Sequence, residues 1–206
     1  MLKIWGRANS SNVKKVTWLC EEIGLPYQRV DAGLAYGVVN TPEYRKLNPN
    51  GLVPTIDDDG FILWESNAIV RYLAAKHAAG TLWPTDLKVR ADADRWMDWC
   101  STTLAPAFVP VFMTMVRTPP DKRNPQVIEE GTKKTAEVLA RFDAVLAGRQ
   151  FVIGDRFSMA DIGFGGLVWL INNVAFDRPK LANFDAWYAR ISARPAFKKA
   201  VALPVA

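Results

Sequence analysis

The chain has 206 residues, and 50% of them are hydrophobic, which is ample for one large packed domain or two small ones. Its 26 Lys and Arg residues exceed its 21 Asp and Glu residues and give a net charge of +5. This excess is spread along the sequence, with lysine doublets at Lys14-Lys15, Lys133-Lys134 and Lys198-Lys199. We interpret the spread charge as solvated surface, which excludes a nucleic-acid-binding stripe.

The cysteines and the apolar segments indicate where the protein resides. Cys20 and Cys100 cannot form a disulfide framework, so we expect a reducing compartment. The opening residues 1–7 predict a first strand and not a secretory signal. No stretch approaches the roughly 18 to 20 uncharged apolar residues that a membrane helix needs. We therefore predict a cytoplasmic protein that does not contact a membrane.

The first eighty residues alternate short strands with helices. Apolar residues at helical spacing from Val13 to Ile23 predict the first helix, which Gly24 and Pro26 end. The predicted elements are a strand over residues 2–5, this helix, a strand over 27–30, a short helix from 42, strands over 55–56 and 61–63 around a turn at 58–60, and a helix from 66. Their order is βαβ, then α, then ββα.

The pattern of helix- and strand-breaking residues changes after this unit. Proline and glycine between residues 78 and 86 predict a linker, and everything beyond it has helical periodicity. We predict a first domain over residues 1–78, a linker over 79–86 and an all-helical domain over 87–206. The first long helix is expected from residue 87 to about 103, with Pro106 and Pro110 kinking or dividing the segment after it.

A capping box is predicted late in the helical domain. Ser158 can accept a hydrogen bond from the N–H three residues on, and Asp161 can reach back to the N–H of Ser158. The following residues 162–171 are nearly all apolar or Gly, so this helix should be buried. Asp161 is therefore predicted to be structural, with a loss of about 0.5 to 2 kcal/mol on removal, by analogy with helix caps.

Two short motifs look suited to holding a small peptide. The Val53-Pro54 pair, within Asn48-Pro-Asn-Gly-Leu-Val-Pro54, offers main-chain groups as a strand edge if Pro54 is cis. Eleven residues later, Glu65-Ser66 brings a carboxylate, a hydroxyl and a free N–H to a helix start. A peptide with a free α-amino-carboxylate end needs a strand edge for its main chain and a helix start for its charged end, at about this separation.

With Trp64-Glu-Ser-Asn-Ala-Ile-Val70 and Phe157-Ser-Met-Ala-Asp-Ile162, these motifs cover about the whole chain in order and spacing. A thioredoxin-like βαβ-α-ββα half of α/β class, joined to an all-α half, resembles the cytosolic glutathione S-transferase family. Within it, the chain looks most like the bacterial, theta-like branch, in which a serine of the first loop does the chemistry.

The resemblance implies a binding site for glutathione as co-substrate. Pro54 would be cis, and Val53 would exchange two main-chain hydrogen bonds with the cysteinyl part. Glu65 would take the γ-glutamyl ammonium and Ser66 the γ-glutamyl carboxylate. Asp94 would approach that ammonium from the second subunit of a homodimer. Relatives often carry Lys or His before the Val-Pro pair.

This chain instead has Gly51 and Leu52 before the pair. Leu52 is still counted among the glutathione-binding residues. The basic partner of the glycyl carboxylate would then be another group, such as Arg7 or Arg45, and the sequence does not choose between them.

The loop after the first strand holds the predicted catalytic group. Counting back from Pro26 puts Ser10 where the family's catalytic serine lies, and Ser11 is its rival because a one-residue shift exchanges them. Asn12 could assist by donating its amide N–H to sulfur. The structural alternative is that one of the three simply caps the first helix. Stabilising a thiolate needs only a hydrogen-bond donor, which suits a chain with a single His.

The second substrate is expected to be a small hydrophobic electrophile. Residues near the proline-broken segment could line its pocket or belong to the core: Phe108, Phe112, Met113 and Met115. No metal ligand spacing is present. We predict a homodimeric detoxification enzyme that adds glutathione to an electrophile, or uses it to reduce a peroxide or mixed disulfide. The alternative is a non-catalytic binding or interaction module of the same fold.

Overall fold

The computed structural model describes residues 1–205. Its first part is a mixed four-stranded sheet with three helices, in the predicted βαβ-α-ββα order. The elements are β1 (Leu2–Trp5), α1 (Ser11–Ile23), β2 (Tyr27–Val30), α2 (Pro42–Leu47), β3 (Thr55–Asp58), β4 (Phe61–Trp64) and α3 (Ser66–His77).

The sheet brings the two predicted site segments together. Its strand order is β2-β1-β3-β4, with β1 parallel to β2 and antiparallel to β3. Trp5, at the end of β1, pairs with Thr55, at the start of β3. Because the strands run in opposite directions, the loop that leaves β1 lies beside Val53 and Pro54, which enter β3.

The β3–β4 hairpin is tighter than predicted. Asp58 still belongs to β3 and pairs with Phe61, so only Asp59 and Gly60 form the turn. Both have positive φ, 52° and 96°, as a two-residue turn that follows the strand twist requires. The amide of Gly60 donates to Asp57 Oδ1 at 2.6 Å, which holds the turn closed.

The second part of the chain is helical, as predicted. Its elements are α4 (Leu87–Trp99), α5 (Ala105–Phe112), α6 (Pro125–Leu146), α7 (Met159–Asn173), α8 (Ala182–Ser192) and α9 (Pro195–Ala200). α5 packs on α6, and α7 packs on α4 and on α1 of the first part.

α4 and α5 belong to one uninterrupted helical run from Leu87 to Arg117. Two π-helical stretches, Cys100–Leu104 and Met113–Arg117, flank α5. Pro106 lies in the first turn of α5 and Pro110 lies inside it. The predicted break does not occur, because the chain stays helical through both prolines, whereas the predicted kink stays a prediction.

This run is also more apolar than expected. An 18-residue window has a mean hydropathy of 1.4, so by length and composition the helix could cross a membrane. The expectation that no stretch approaches that length was wrong. The core helix of a globular domain passes the same test, and 28% of this window is buried, with Leu104, Phe108 and Val111 at or near full burial.

α1 is enclosed on nearly every side. Every residue from Val13 to Cys20 is buried, and the helix packs against α3, α7 and α9. Trp18 meets the rings of Phe157 and Phe197 at centroid distances of 5.4 and 4.9 Å. The interpretation of the Lys14-Lys15 doublet as solvated surface was therefore wrong, because both lysines lie on a helix held between the two parts of the chain.

The predicted capping box of α7 is confirmed. The N–H of Ser158 donates to Asp161 Oδ2 at 3.0 Å, and the Ser158 hydroxyl accepts from the first turn of the helix. Asp161 Oδ1 also accepts from the N–H of Val152 at 3.0 Å and from Trp187 Nε1 at 2.8 Å. Burial raises the pKa of Asp161 to about 6, although these donors oppose the rise. The carboxylate therefore binds two further segments, the loop at Val152 and helix α8, in addition to capping α7.

Candidate active site

A cavity of about 520 Å³ opens where the first turns of α1 and α3 face the α4–α5 run. The first part of the chain contributes Ser11, Asn12, Lys15, Glu65, Ser66 and Arg71. The helical part contributes Asp98, Cys100, Ala105, Val109 and Leu167. The cavity therefore has one polar wall, built by the thioredoxin-like unit, and one largely apolar wall.

A smaller cavity of about 90 Å³ adjoins it around the Val-Pro pair. It is lined by Leu52, Val53 and Pro54 and shares Asn12, Glu65 and Ser66 with the larger cavity. The predicted site residues of the first domain, with the exception of Ser10, thus line one continuous region.

The Val53-Pro54 peptide bond is cis. Neither the N–H nor the C=O of Val53 takes part in a hydrogen bond within residues 1–205. The preceding carbonyl, that of Leu52, accepts from Asn48 Nδ2 at 3.0 Å and from the Tyr44 hydroxyl at 2.7 Å. Both donors also contact Thr55 Oγ1, at 3.0 and 2.8 Å. The segment is fixed on one side and leaves an unused strand edge on the other.

Glu65 and Ser66 stand at the start of α3. Glu65 has a φ of 71°, a conformation that costs of order 1 to 3 kcal/mol for a residue with a side chain. Its exposed carboxylate forms no hydrogen bond within residues 1–205 and does not cap the helix. The first-turn N–H groups of α3 are therefore open to a ligand. Ser66 is buried, and its hydroxyl donates to Asn12 Oδ1 at 3.3 Å.

The three loop candidates take different positions. Ser10 is the N-cap of α1: it is 6% exposed, and its Oγ accepts from the N–H of Val13 at 3.5 Å. Ser11 and Asn12 line the large cavity. The capping alternative therefore describes Ser10, whose hydroxyl proton is left to donate elsewhere.

Sequence reasoning missed Lys15. This residue is 4% exposed, and its Nζ donates to Asn67 Oδ1 at 3.1 Å and to Ser66 Oγ at 3.5 Å. Burial lowers the pKa of Lys15. The spacing contained the signal: in a helix, residue 15 lies over residues 11 and 12, which were already candidates.

The candidates of the helical part lie elsewhere than expected. Phe108 is fully buried, with its ring centroid 5.3 Å from that of Phe176, so it belongs to the core and not to the cavity wall. Phe112, Met113 and Met115 do not line the cavity either, and its apolar wall is built by Ala105, Val109 and Leu167.

Asp94 lies outside both cavities and accepts from Arg71 Nε at 2.6 Å. Arg71 also bonds Asp98 Oδ1 at 2.6 Å, and Asp98 and Arg71 do line the large cavity. Cys100, at the back of this cavity, is buried, and burial raises the pKa of its thiol to about 11. This cysteine is therefore protonated and unreactive at neutral pH. Within the part of the chain that the structure describes, no group of three or more His, Cys, Asp or Glu residues could hold a metal ion.

Two family models match the chain. Residues 1–75 match the model described as glutathione S-transferase, N-terminal domain, and residues 101–195 match glutathione S-transferase, C-terminal domain. The chain belongs to the glutathione S-transferase family. This membership supports an enzyme over the non-catalytic module that the sequence left open.

Individual relatives agree over the full length. Glutathione S-transferase GstB of Escherichia coli is 41% identical over 207 residues, covering 100% of both chains. Glutathione S-transferase 3 of Zea mays is 34% identical, covering 98% of this chain and 93% of its own. Among solved structures, the theta class glutathione S-transferase from Xanthomonas axonopodis pv. citri with glutathione bound is 45% identical. That structure superposes with a TM-score of 0.96, covering 100% of this chain and 99% of its own.

Proposed function

We propose that this protein binds glutathione across the two joined cavities, ionises its thiol and adds the sulfur to a small electrophile. The observation that carries the proposal is the unused strand edge of Val53 beside the uncapped start of α3. A tripeptide bound as an extra antiparallel strand would satisfy the Val53 N–H and C=O.

The γ-glutamyl end would then meet α3. The unbonded carboxylate of Glu65 takes the ammonium group, and the hydroxyl and N–H of Ser66 take the carboxylate at the positive end of the helix dipole. The positive φ of Glu65 supports this assignment, because such strain concentrates at ligand-binding sites.

The glycyl carboxylate is assigned to Arg7. Arg45, the other candidate, is exposed and donates to Pro49 O at 3.3 Å and Asn40 Oδ1 at 3.1 Å. Arg7 Nε is buried and has no hydrogen-bond partner within residues 1–205. A Cβ built on Gly33 would lie 3.2 Å from Arg7 Nη1 and 3.6 Å from the Val53 methyl groups. Arg7 therefore runs beside the residue that would hold the peptide.

Thiol activation needs only a hydroxyl donor. A free thiol has a pKa of about 8.5, so only a few per cent is ionised at pH 7. A hydrogen bond to a charged group contributes roughly 1.5 to 3 kcal/mol, and a pKa shift of one unit corresponds to about 1.36 kcal/mol. One donor thus lowers the thiol pKa by about one to two units. We assign this role to Ser10, whose O–H remains free; Ser11 is the rival because it lines the cavity, and Asn12 assists.

The ionised sulfur then attacks the electrophile held against Ala105, Val109 and Leu167. In a substitution, the new S–C bond forms as the leaving group departs with its electron pair. In a peroxide reduction, the thiolate attacks one peroxide oxygen, the O–O bond breaks, and the other oxygen leaves with the electron pair and takes a proton as the alcohol. The sulfenic acid then reacts with the thiol of a second glutathione to give glutathione disulfide and water.

We also propose a cytoplasmic homodimer. The exposed apolar residues Leu87 and Val89 lie on α4, the helix that carries Asp94. This is consistent with Asp94 approaching the glutathione ammonium of a second subunit. Light scattering of the purified chain tests the dimer, since a mass near that of one 23.0 kDa chain would exclude it.

Calorimetry and turnover test the proposed function together. We expect heat of binding with glutathione and thioether formation with an activated aryl halide at neutral pH. Absence of both binding heat and a thermal shift at millimolar glutathione would overturn the proposal. Binding without any turnover, over a panel of halides and peroxides, would restore the non-catalytic module.

A further inference from the structure

The large cavity contains one buried lysine that the assignments above leave unused. Lys15 projects from α1 toward the start of α3 and is 4% exposed. Its two hydrogen-bond acceptors, Asn67 Oδ1 and Ser66 Oγ, are neutral. No carboxylate oxygen of residues 1–205 lies within 4.0 Å of its Nζ.

A bound anion next to this amine would stabilise its charged form. Burial of a charge without a counterion is costly, and here only two neutral oxygens offset the cost. The charged and titratable groups that act on Lys15 are Glu65 and Arg71 of α3 and Cys100 of the following π-helical stretch. Arg71 opposes the cation, and its own ion pairs go to Asp94 and Asp98.

The surrounding residues are fixed in place. The amide of Asn67 donates to Met97 O at 3.0 Å and to Ser101 Oγ at 3.1 Å, which turns its oxygen toward Lys15. Ser66, the other acceptor, is the residue that opens α3. The ammonium therefore stands beside the position assigned above to the γ-glutamyl carboxylate.

We propose that Lys15 is a ligand-binding residue whose ammonium pairs with the α-carboxylate of the γ-glutamyl group. This inference rests on the proposed function and extends it. The zwitterionic end of the peptide is then held by two opposite charges, Glu65 on its ammonium and Lys15 on its carboxylate. The site is thereby specific for a free α-amino acid terminus and discriminates against peptides that lack the carboxylate.

The adjacent lysine provides a matched control. Lys14 is also buried, but its Nζ donates to Leu203 O at 3.4 Å and lies 5.7 Å from the Trp169 ring centroid. It lines neither cavity of the site. Lys14→Met and Lys15→Met therefore make the same chemical change on two sides of one helix.

The experiment measures Kd by calorimetry for two thiol-blocked ligands. One is S-methylglutathione, and the other is its analogue with 4-aminobutyrate in place of γ-glutamate, which lacks only the α-carboxylate. The informative ratio is the Kd of the analogue divided by the Kd of S-methylglutathione. We expect this ratio to fall by about tenfold or more in Lys15→Met, because a charged hydrogen bond to the α-carboxylate is lost. The ratio should stay within about twofold of wild type in Lys14→Met.

An unchanged ratio in Lys15→Met, or equal weakening of both ligands, would overturn the role of Lys15 and leave the proposed function intact. Failure of the wild-type chain to bind either ligand would instead overturn both. If Lys15→Met does not fold, Lys15→Gln decides in its place. A crystal of the wild-type chain with S-methylglutathione gives an independent result: an Nζ beyond hydrogen-bond distance of the α-carboxylate contradicts the inference.

Discussion

Gly166 of α7 lies directly against the main chain of Ser11, the first residue of α1. A Cβ built on Gly166 would stand 2.1 Å from the Ser11 carbonyl oxygen and 2.8 Å from its Cα. The adjacent Gly165 meets Trp18 in the same way, with a Cβ 2.3 Å from the indole ring. The helical part of the chain therefore supports the start of α1, beside the candidate catalytic loop, by main-chain contact, which only glycine permits.

Gly166→Ala should reduce activity more than its effect on stability explains. The added methyl group has to displace the main chain at Ser11, at an overpacking cost of about 1 to 3 kcal/mol. Because displacements of about 1 Å can cost 10²-fold in rate, we expect kcat/KM to fall by about that factor. Steady-state kinetics and denaturant unfolding on the same sample measure the two effects.

Gly163→Ala is the control for this change. A Cβ there would lie 2.9 Å from Met97 Cγ, which belongs to a flexible side chain of the neighbouring helix α4. Its kcat/KM should stay within about twofold of wild type. Equal losses in the two glycine variants would refute the supporting role of Gly166.

Ser10→Ala and Ser11→Ala separate the two candidate activators. Loss of the donating hydroxyl should raise the pKa of bound glutathione by about one to two units and cut turnover at pH 7 by about 10- to 100-fold. Binding of glutathione should change little. We expect the large loss in Ser10→Ala; the reverse order assigns the role to Ser11.

The pH–rate profile supplies the check on these variants. A true activator variant shows its rate rising toward wild type above pH 9, as the thiol ionises without help. A Ser10→Ala loss that persists at high pH, accompanied by a lower unfolding free energy, would indicate that only the helix cap was removed.

Asn48→Ala should weaken glutathione binding, because it loosens the Val53-Pro54 segment that borders the small cavity. Asn48 is 2% exposed and donates to Leu52 O and Thr55 Oγ1, two oxygens that the Tyr44 hydroxyl also contacts, so its loss removes one of two partners from each at a cost of about 0.5 to 1.5 kcal/mol per hydrogen bond. The Val53 edge then loses one of its supports, and KM for glutathione should rise. Tyr44→Phe, which removes the parallel hydroxyl contact at 2.7 Å, should show a smaller rise. An unchanged KM in both variants would show that the Val53 segment keeps its position without either hydrogen-bond donor.

Asp161 makes stability depend on pH between about 4 and 6. Burial raises its pKa from 3.8 to about 6, so the folded chain binds a proton in this range that the unfolded chain has released. The stabilising contribution of this raised pKa to the free energy of unfolding is present in full below pH 4 and is lost as the pH rises through 6. The lost contribution is about 3 kcal/mol, from roughly two pKa units.

Asp161→Asn isolates this effect. The variant cannot titrate at this position, so the difference in unfolding free energy between wild type and variant should shift by about that amount between pH 4 and pH 7. Chemical denaturation at several pH values measures the shift. A difference that is constant with pH would contradict the raised pKa.

Much of the fold could be read from local chemistry. Gly24 ends α1 with a φ of 64° and Ser158 forms the capping box of α7, both as predicted, and Thr41 caps the short helix predicted from residue 42. Each of these signals depends on a few consecutive residues, for which chain conformation and hydrogen bonding are settled locally. The break expected at the prolines of α5 does not occur, and no local signal predicted the π-helical stretches on either side of this helix.

The candidate site likewise has some features that depend on short local motifs and others that depend on tertiary packing. The family resemblance, the Val53-Pro54 and Glu65-Ser66 motifs and the serine-bearing loop could all be recognised in the sequence, because each is a short motif with its own chemistry. The capping role of Ser10, the core position of Phe108 and the place of Lys15 in the cavity wall depend on how distant segments pack together, and they emerge from the three-dimensional structure alone. A charged residue on a helix is solvated by default, and it becomes part of a site only when other elements, here α3 and α7, remove the water around it.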